Sequence, residues 1–334
     1  MSTLVQHKRN FFDFFPLPRY LEMPSVGIDI SDQAIRFVEI VHYESGHHQF
    51  HLRSYGEKKI PEGVISGGSI NKPEEVKKIL AEIRKEHGYK FICVSLPEEK
   101  GYLFKTELPD VEQKYFAENI EMHLEENVPI DAKKAVFDFN LINSNNPARH
   151  AEAVVTVVPN KVIDVYSDLF QSTSFIPVSY ELITQAVARA VVPYEEYETC
   201  LIVYVGETRT GFGIVSDGAL QFTSTVNVEH VVDPAGVERK CSMLKDEVVK
   251  LVLYWQGRSQ KDNAKIKRLI LSGRESTIAG LKECLAEAAI CRVESADVWV
   301  NIFNIRNQIP EMSFEDSLDY APAIGLALSR YHHA

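Results

Sequence analysis

The chain contains two segments that look like copies of one strand–turn–strand unit. The first runs from Val26 to Phe37 and reads VGIDISDQAIRF, and the second runs from Leu201 to Phe212 and reads LIVYVGETRTGF. Each copy begins with an apolar strand, passes through a short polar turn and enters a second apolar strand. A repeated unit at the start of each half predicts a duplicated α/β fold, in which two related lobes face each other across a cleft.

The turns of the two copies resemble a device that binds nucleotide phosphates, and each is damaged at a different position. In such a turn an acidic residue holds Mg²⁺ or a water molecule, and a following glycine lets backbone N–H groups approach an anionic oxygen. The first copy keeps the acid as Asp29 but has Ser31 at the glycine position. The second copy keeps the glycine as Gly206 but has Tyr204 at the acid position. The pattern predicts a phosphate site that has decayed on both sides.

The size and charge of the chain limit the classes of protein to which it can belong. Its 334 residues exceed the usual span of one core, which favours two domains or a duplicated one. The formal net charge of -11 argues against a nucleic-acid-binding protein. No apolar run approaches the roughly 20 residues of a membrane-spanning helix, and the polar N-terminus is unlike a signal peptide. The five cysteines include no C-x-x-C pair, so we expect a reducing cytoplasm and no zinc site.

The predicted elements divide the chain into a leading strap, two lobes and an insertion. Each half opens with a meander of strands and then supplies helices, which is the expected order for a duplicated α/β protein. The predicted parts are an aromatic and proline-rich strap at 1–24, a first lobe at 25–100 and 151–195, an inserted subdomain at 101–150, and a second lobe at 196–334 with a helical subdomain at about 230–265.

Local signals place several helix ends and turns. Asn71 followed by Glu74 is a capping-box pattern, and Gly88 is a typical residue after a helix end, so we expect a helix between them. The pair Asp217–Gly218 separates two apolar strands and predicts a tight β-hairpin.

Six segments follow one another along the chain. They are VGIDISDQAIRFVEI, IPEGVISGGSINKPEEVKKIL, ENIEMHLEENVPIDAKKAVFDFNLI, CLIVYVGETRTGFGIVSDGALQFT, LILSGRESTIAGLKECL and SLDYAPAIGLALSR. Taken in this order, they resemble the PilM family of type IV pilus assembly proteins and, more distantly, the division protein FtsA. The resemblance extends from about Pro24 to Leu328. It implies an α/β fold made of duplicated actin-like (RNase H-like) domains, with an interdomain cleft and a small inserted α+β subdomain.

The same resemblance implies where Mg-ATP would bind. One side of the phosphate site would be lined by Asp29, Ser31 and Asp32, with Asp29 reaching the metal through water. The opposite side and the nucleoside end would be lined by the residues Gly206, Glu207, Thr208, Gly273 and Arg274. ATP and Mg²⁺ are the cofactors that this site would hold.

The chain departs from the family pattern at the nucleotide positions. The family has Gly, Asp and Gly where this chain has Ser31, Tyr204 and Arg274. If the position of Ser31 requires a positive φ, serine costs on the order of 1 kcal/mol there. Tyr204 removes a carboxylate that would orient water, and such groups contribute roughly 10²- to 10⁴-fold to a rate. We therefore expect a degenerate nucleotide site with no catalytic residue, no protein-bound metal and no meaningful ATP hydrolysis.

The family resemblance also implies a function. It predicts a cytoplasmic scaffold that binds the cytoplasmic tail of a PilN-like inner-membrane protein, in a groove between the first lobe and the insertion. Other pilus assembly components and self-association are further expected contacts. The protein would be peripheral to the inner membrane only through its partner, and nucleic acid is not expected as a ligand.

Two alternatives stay open from the sequence. The chain could be an active ATP-hydrolysing actin-like protein that polymerises as FtsA does. It could instead be the cytoplasmic part of a type II secretion homologue. Thermal stabilisation by Mg-ATP would favour the first alternative, and a continuation into a membrane-spanning segment would favour the second.

Overall fold

The computed structural model describes residues 25–43, 49–142, 151–194, 196–228, 233–258, 265–288, 291–303 and 311–332. The predicted strap at 1–24 lies outside these ranges. The strands are β1 (Ser25–Ile30), β2 (Ala34–Tyr43), β3 (Gln49–Lys59), β4 (Ile65–Ser66), β5 (Ser69–Ile70), β6 (Phe91–Leu96), β7 (Tyr102–Glu107), β8 (Ala135–Ile142), β9 (Glu152–Pro159), β10 (Ile176–Leu182), β11 (Cys200–Val205), β12 (Arg209–Ser216), β13 (Ala219–Asn227), β14 (Arg268–Ser272) and β15 (Arg292–Ser295).

Helices connect these strands in both halves. The α-helices are α1 (Pro73–His87), α2 (Phe116–Met122), α3 (Leu124–Asn127), α4 (Asn160–Thr173), α5 (Ile183–Val191), α6 (Pro234–Arg258), α7 (Leu281–Ala288), α8 (Phe314–Asp319) and α9 (Ala321–Leu328). Short 3₁₀ turns lie at Glu98–Lys100, Gln113–Tyr115, Ala132–Lys134, Arg274–Thr277 and Ser329–His332. None of the helices in the described ranges combines the length and the hydropathy that a membrane span requires.

Two five-stranded sheets have the same topology. The first has the order β10-β6-β1-β2-β3, and the second has the order β15-β14-β11-β12-β13. In each sheet the first three strands in the chain form an antiparallel meander. The fourth strand pairs in parallel with the first strand of the meander, and the fifth strand pairs in parallel with the fourth. The predicted duplication is therefore present in the strand order itself.

The duplication extends to single residues. Asp29 pairs with Arg36 across β1 and β2, and Tyr204 pairs with Gly211 across β11 and β12. Both Asp29 and Tyr204 are the second-to-last residue of the central strand of their sheet. The Ser31 N–H donates to the Ala34 carbonyl at 3.0 Å, just as the equivalent Gly206 N–H donates to the carbonyl at the start of β12 at 2.8 Å.

Helices α5 and α9 join the two sheets. Their apolar side chains and those of β2, β11, β12 and β14 share one core cluster, so the lobes are packed together rather than merely linked. The two helices cross with their backbones in close contact at Gly325. A Cβ atom built there would lie 1.8 Å from the Ala186 carbonyl oxygen, so no side chain fits at the crossing.

The remaining faces are covered by separate cores. Helices α1 and α4 pack on the first sheet over Val76, Leu80 and Phe170, which are fully buried. In the second lobe α6 and α7 cover β11 and β14 in the same way. The extra sheet β7-β9-β8 carries α2 and α3, whose buried side chains include Phe116 and Leu124.

The local predictions were partly right. Gly88 ends α1 with a left-handed φ of 73°, and both residues of the Asp217–Gly218 turn have positive φ, as its hairpin requires. The capping box at Asn71 was wrong. The Asn71 side chain donates to the Gly63 carbonyl instead, and α1 begins at Pro73 without a side-chain cap. Strand β10 was not predicted, although residues 178–182 alternate between apolar and polar as a strand does, because Pro177 argues against a strand at this point.

One covalent feature was also not expected from the sequence. Cys241 of α6 and Cys284 of α7 form a disulfide with a Cα–Cα distance of 6.3 Å. Cys93 and Cys200 are buried, Cys291 is partly exposed, and none of these three cysteines forms a disulfide.

Candidate functional site

A cavity of about 560 Å³ lies between the two lobes, where the turns after β1 and β11 face each other. We call residues 31–33 the first turn and residues 206–208 the second turn. Six of the eight predicted site residues line this cavity, whereas Asp29 and Gly273 are buried and do not line it. The six are Ser31, Asp32, Gly206, Glu207, Thr208 and Arg274.

The backbone of the first turn is relaxed. The Ser31 hydroxyl donates to the Ala34 carbonyl at 2.9 Å and accepts from the Ala34 N–H at 3.1 Å. Among the described residues other than glycine, positive φ occurs only at Ser174 and Asp217. The expectation that the position of Ser31 requires a positive φ was wrong, because the turn closes in a conformation that any residue adopts. Serine therefore causes no backbone strain here. Its hydroxyl forms local hydrogen bonds with Ala34, and its side chain occupies space that a glycine would leave open to an anion.

Asp32 is occupied by the protein itself. Its carboxylate accepts hydrogen bonds from the Gly67 N–H at 3.1 Å and the Gly68 N–H at 3.3 Å, where both glycines have positive φ. The same carboxylate pairs with Arg209 of the second lobe. A residue expected to face a phosphate group thus holds the loop between β4 and β5 instead.

Asp29 is buried beneath the first turn and is only 2% exposed. The Ser95 hydroxyl donates to its carboxylate at 2.7 Å and accepts from the Ile30 N–H at 3.0 Å. Burial raises the pKa of Asp29, and the hydrogen bond from Ser95 and the nearby Arg36 only partly oppose this effect. The carboxyl is placed to support the turn, and a metal ion would have to reach it through the wall of the cavity.

The second turn is bonded to residues outside its own hairpin. Thr208 Oγ1 accepts a hydrogen bond from Gln33 Nε2 of the first turn at 3.3 Å. Lys240 of α6 is 3% exposed and donates from Nζ to the Gly206 carbonyl at 3.4 Å and to Glu275 at 2.9 Å. The second turn is therefore held from both sides of the cleft.

Arg209 spans the cleft and was missed by the sequence reasoning. Its guanidinium forms ion pairs with Asp32 of the first turn and with Glu99 of the 3₁₀ turn that leads into β7. Its side chain is 18% exposed, so the pairs are largely shielded from solvent. A cross-cleft role for Arg209 could have been predicted from its position as a basic residue directly after the predicted phosphate turn.

A second partly buried arginine, Arg36 of β2, was also missed. It pairs with Glu57 of β3 at 2.8 Å and with Asp319 of α8 at 3.0 Å. Burial opposes its charge, but the carboxylate of Asp319 and the other neighbouring anions raise the pKa of Arg36. Burial, followed by the carboxylates of Asp319 and Asp29, raises the pKa of Tyr204, whose ring lines the cavity where the family has an acid.

The nucleoside end keeps one of its two glycines. Gly273 has a φ of 81°, and a Cβ there would lie 2.4 Å from the Val205 carbonyl oxygen, so only glycine fits. The Arg274 N–H donates to Asp319 at 3.0 Å, and its 58% exposed side chain pairs with Asp316 at 3.1 Å. Arg274 thus lines the cavity while its guanidinium is paired with Asp316.

The charge of the cavity wall is negative. Its carboxyl residues are Asp32, Glu57, Glu98, Glu99, Glu207, Glu275 and Asp319, and its cationic residues are Arg36, Lys59, Arg209 and Arg274. Seven acids against four bases oppose the entry of a triphosphate. The described residues contain no group of three or more His, Cys, Asp or Glu side chains arranged to hold a metal ion.

Comparison with known proteins gives a family match and several similar folds. The family described as "Type IV pilus assembly protein PilM" matches residues 27–227. No curated protein sequence matches the chain. A structure described as "PilM-PilN type IV pilus biogenesis complex" superposes with a TM-score of 0.75 at 14% identity, covering 91% of this chain and 98% of the other.

Two further structures are similar at lower scores. MreB 5 of Spiroplasma citri bound to AMPPNP gives a TM-score of 0.50 at 9% identity, covering 92% of this chain and 96% of the other. A protein of Bacteroides thetaiotaomicron "with actin-like ATPase fold and unknown function" gives 0.45 at 13% identity, covering 85% and 93%. The fold is the duplicated actin-like α/β fold with a cleft between its lobes.

Proposed function

The chain belongs to the PilM family of type IV pilus assembly proteins, and on this premise we propose that it is a cytoplasmic scaffold that binds the cytoplasmic tail of a PilN-like inner-membrane protein. The protein then reaches the inner membrane through that partner. Other pilus assembly components and further copies of the chain are additional contacts of the same scaffold.

The observation that supports a scaffold over an ATPase is the occupied cleft. Arg209 of the second lobe reaches across the cleft and pairs with Asp32 and Glu99 of the first lobe. The Gln33–Thr208 hydrogen bond closes the same gap. A triphosphate would have to displace these contacts and bind in a cavity with an excess of carboxyl groups. Binding of a tail to a surface outside the cleft requires neither step.

The first lobe and the insertion both offer surfaces for an extended tail. Strand β10 is the edge of the first sheet and β8 is an edge of the inserted sheet, so each presents backbone groups unpaired by the described strands. Exposed aliphatic side chains lie on or near them. These are Val165, Ile176 and Val178 on the first lobe, and Val136 and Leu141 on the insertion.

Val178 is the most informative of these positions. It is the extra residue of a β-bulge between Pro177 and Ser179, and half of its surface is exposed. A bulge redirects side chains at a sheet edge and is a common feature of binding surfaces. We propose that the tail contacts β10 at this bulge.

A binding measurement with matched variants tests the proposal. A fluorescent peptide that copies the cytoplasmic tail of the PilN-like protein from the same organism is titrated with the full chain. Val178→Asp should weaken binding by at least about tenfold, because a charge replaces an apolar contact. Leu253→Asp on α6 is the control, since Leu253 is a 61% exposed aliphatic residue of the other lobe. Equal binding by both variants, or no binding by the parent chain, would contradict the proposal.

A second candidate function is ATP binding without rapid hydrolysis. It is favoured by the cavity between the lobes and by Gly273. The backbone at Gly273 lies so close to the Val205 carbonyl that only glycine fits there. Mg-ATP at about 100 times its Kd would stabilise the fold by about 2.7 kcal/mol, so a thermal shift detects it. Arg209→Ala should then increase that shift if Arg209 competes with the phosphates.

A further inference from the structure

The disulfide lies next to the contacts that hold the second turn. Cys241 follows Lys240 directly on α6, and Lys240 is the residue that bonds the Gly206 carbonyl and Glu275. Cys284 lies in α7, the helix that follows the 3₁₀ turn containing Glu275. The disulfide therefore joins α6, which carries Lys240, to α7, which follows Glu275, the ion-pair partner of Lys240.

We infer that Cys241 and Cys284 form a redox-modifiable site that sets how firmly α6 holds the second turn of the cleft. The two side chains are partly exposed, so a small thiol or disulfide can reach them. The Cα–Cα distance of 6.3 Å lies in the usual range for a disulfide, so the thiol and disulfide states need little backbone movement between them.

The reaction is thiol–disulfide exchange with a small-molecule disulfide of the glutathione class. The thiolate of one cysteine attacks a sulfur of the oxidant and releases one thiol, which leaves a mixed disulfide. The second cysteine attacks the protein sulfur of that mixed disulfide and releases the second thiol. The two cysteines are oxidised, the small disulfide is reduced to two thiols, and the protons of the cysteines pass to the released thiolates.

The structural consequence follows from the placement of Lys240. In the disulfide state α6 cannot move away from α7, and Lys240 stays between Gly206 and Glu275. In the thiol state only the noncovalent packing of α6 and α7 restrains it, with the exposed Lys245–Glu287 pair at 3.4 Å. The second turn should then open more often, which exposes the Gly206 N–H to exchange with solvent.

The test begins with the full chain equilibrated in glutathione buffers from fully reduced to fully oxidised, then alkylated and analysed by mass spectrometry. The expected product lacks two hydrogen atoms, is unalkylated at Cys241 and Cys284, and increases with oxidised glutathione. Cys284→Ser should abolish this product. Cys291→Ser is the matched control, because Cys291 is a partly exposed free thiol of the same lobe and its removal should leave the titration unchanged.

Hydrogen exchange then tests the link to the cleft. Exchange at the second turn should be slower in the disulfide state, and Cys284→Ser should lose this difference. Absence of the Cys241–Cys284 bond in every buffer, or its persistence in the fully reduced buffer, overturns the redox site. Equal exchange at Gly206 in the two states overturns its action on the cleft.

Discussion

The guanidinium of Arg209, on the second lobe, pairs with the carboxylate of Asp32, on the first lobe, across the cleft between them. The same guanidinium pairs with Glu99, which leads into the inserted sheet. One side chain of the second lobe thus holds two acids of the first lobe beside the predicted phosphate site. Because Arg209 pairs with both carboxylates, it stabilises the contact between the lobes in the absence of a ligand.

Arg209→Ala should destabilise the protein. The change leaves Asp32 and Glu99 close together without a cation, and loss of one partner from a largely shielded ion pair costs about 2 kcal/mol here, less than for a fully buried pair. Urea unfolding measures the free energy. Arg274→Ala is the control, since its 58% exposed side chain should contribute less than about 0.5 kcal/mol. Equal losses in the two variants would show that the Arg209 pairs do not bind the lobes together.

Gly325→Ala should disrupt the crossing of α5 and α9. The new methyl group would overlap the Ala186 carbonyl oxygen at 1.8 Å, so the helices must separate, and we expect a loss of about 3 kcal/mol or more. Gly257→Ala in α6 meets no atom within 4 Å and should stabilise the chain by up to about 1 kcal/mol. Thermal unfolding of both variants measures the contrast. A similar melting temperature for the two would refute the tight crossing.

The free energy of unfolding of Asp29→Asn, relative to that of the parent chain, should increase as pH rises. The native pKa of Asp29 is raised by burial, so native Asp29 keeps its proton at pH values where the unfolded chain has lost it. The stability that this group contributes is present below its unfolded pKa and is lost as pH rises through the native pKa. Asparagine carries no such penalty, so the free energy of unfolding of the variant should improve relative to the parent between acidic and neutral pH.

Asp131→Asn is the control of opposite sign. The Lys133 N–H, and then the Lys134 side chain, lower the pKa of Asp131, so its contribution is present above its unfolded pKa and is lost on acidification. This variant should lose stability relative to the parent as pH rises from acidic to neutral. Parallel pH profiles for the two variants would contradict the burial of a protonated Asp29.

Reduction of the disulfide should lower the free energy of unfolding. The bond joins residues separated by 43 positions, and the chain-entropy model assigns about 4 kcal/mol to a loop of that length. Urea unfolding with and without a reductant measures the difference in the parent chain. Cys284→Ser should show no dependence on the reductant, and a reductant effect that survives in this variant would assign the stability to another cause.

The architecture could be predicted from the sequence because the repeated unit determines which strand is central in each sheet. The equivalence of Asp29 and Tyr204 followed from that alignment alone, and the strand pairing places them at matching positions. The actin-like fold and the PilM family were likewise identified correctly from ordered motifs. Strand β10 was missed because Pro177 obscured the alternation over residues 178–182, and its place in the sheet depends on a parallel pairing with β6 far along the chain.

The contacts of the cleft were harder to predict. The sequence drew attention to the motif positions Asp32 and Thr208, but Arg209 and Arg36 carry most of the cross-cleft pairing. Ion pairs between residues far apart in the chain depend on how the lobes are packed, and no local pattern records that. The conformation of Ser31 was misjudged for a related reason, since the φ of a turn residue depends on the hydrogen bonds that close the turn.

The contact between Gly325 and the Ala186 carbonyl has a mechanical consequence. Two backbones that touch without an intervening side chain cannot slide past each other, so the lobes can rotate about this point but cannot shear. A ligand in the cleft or a partner on the insertion would then change the arrangement of the lobes by rotation at this crossing.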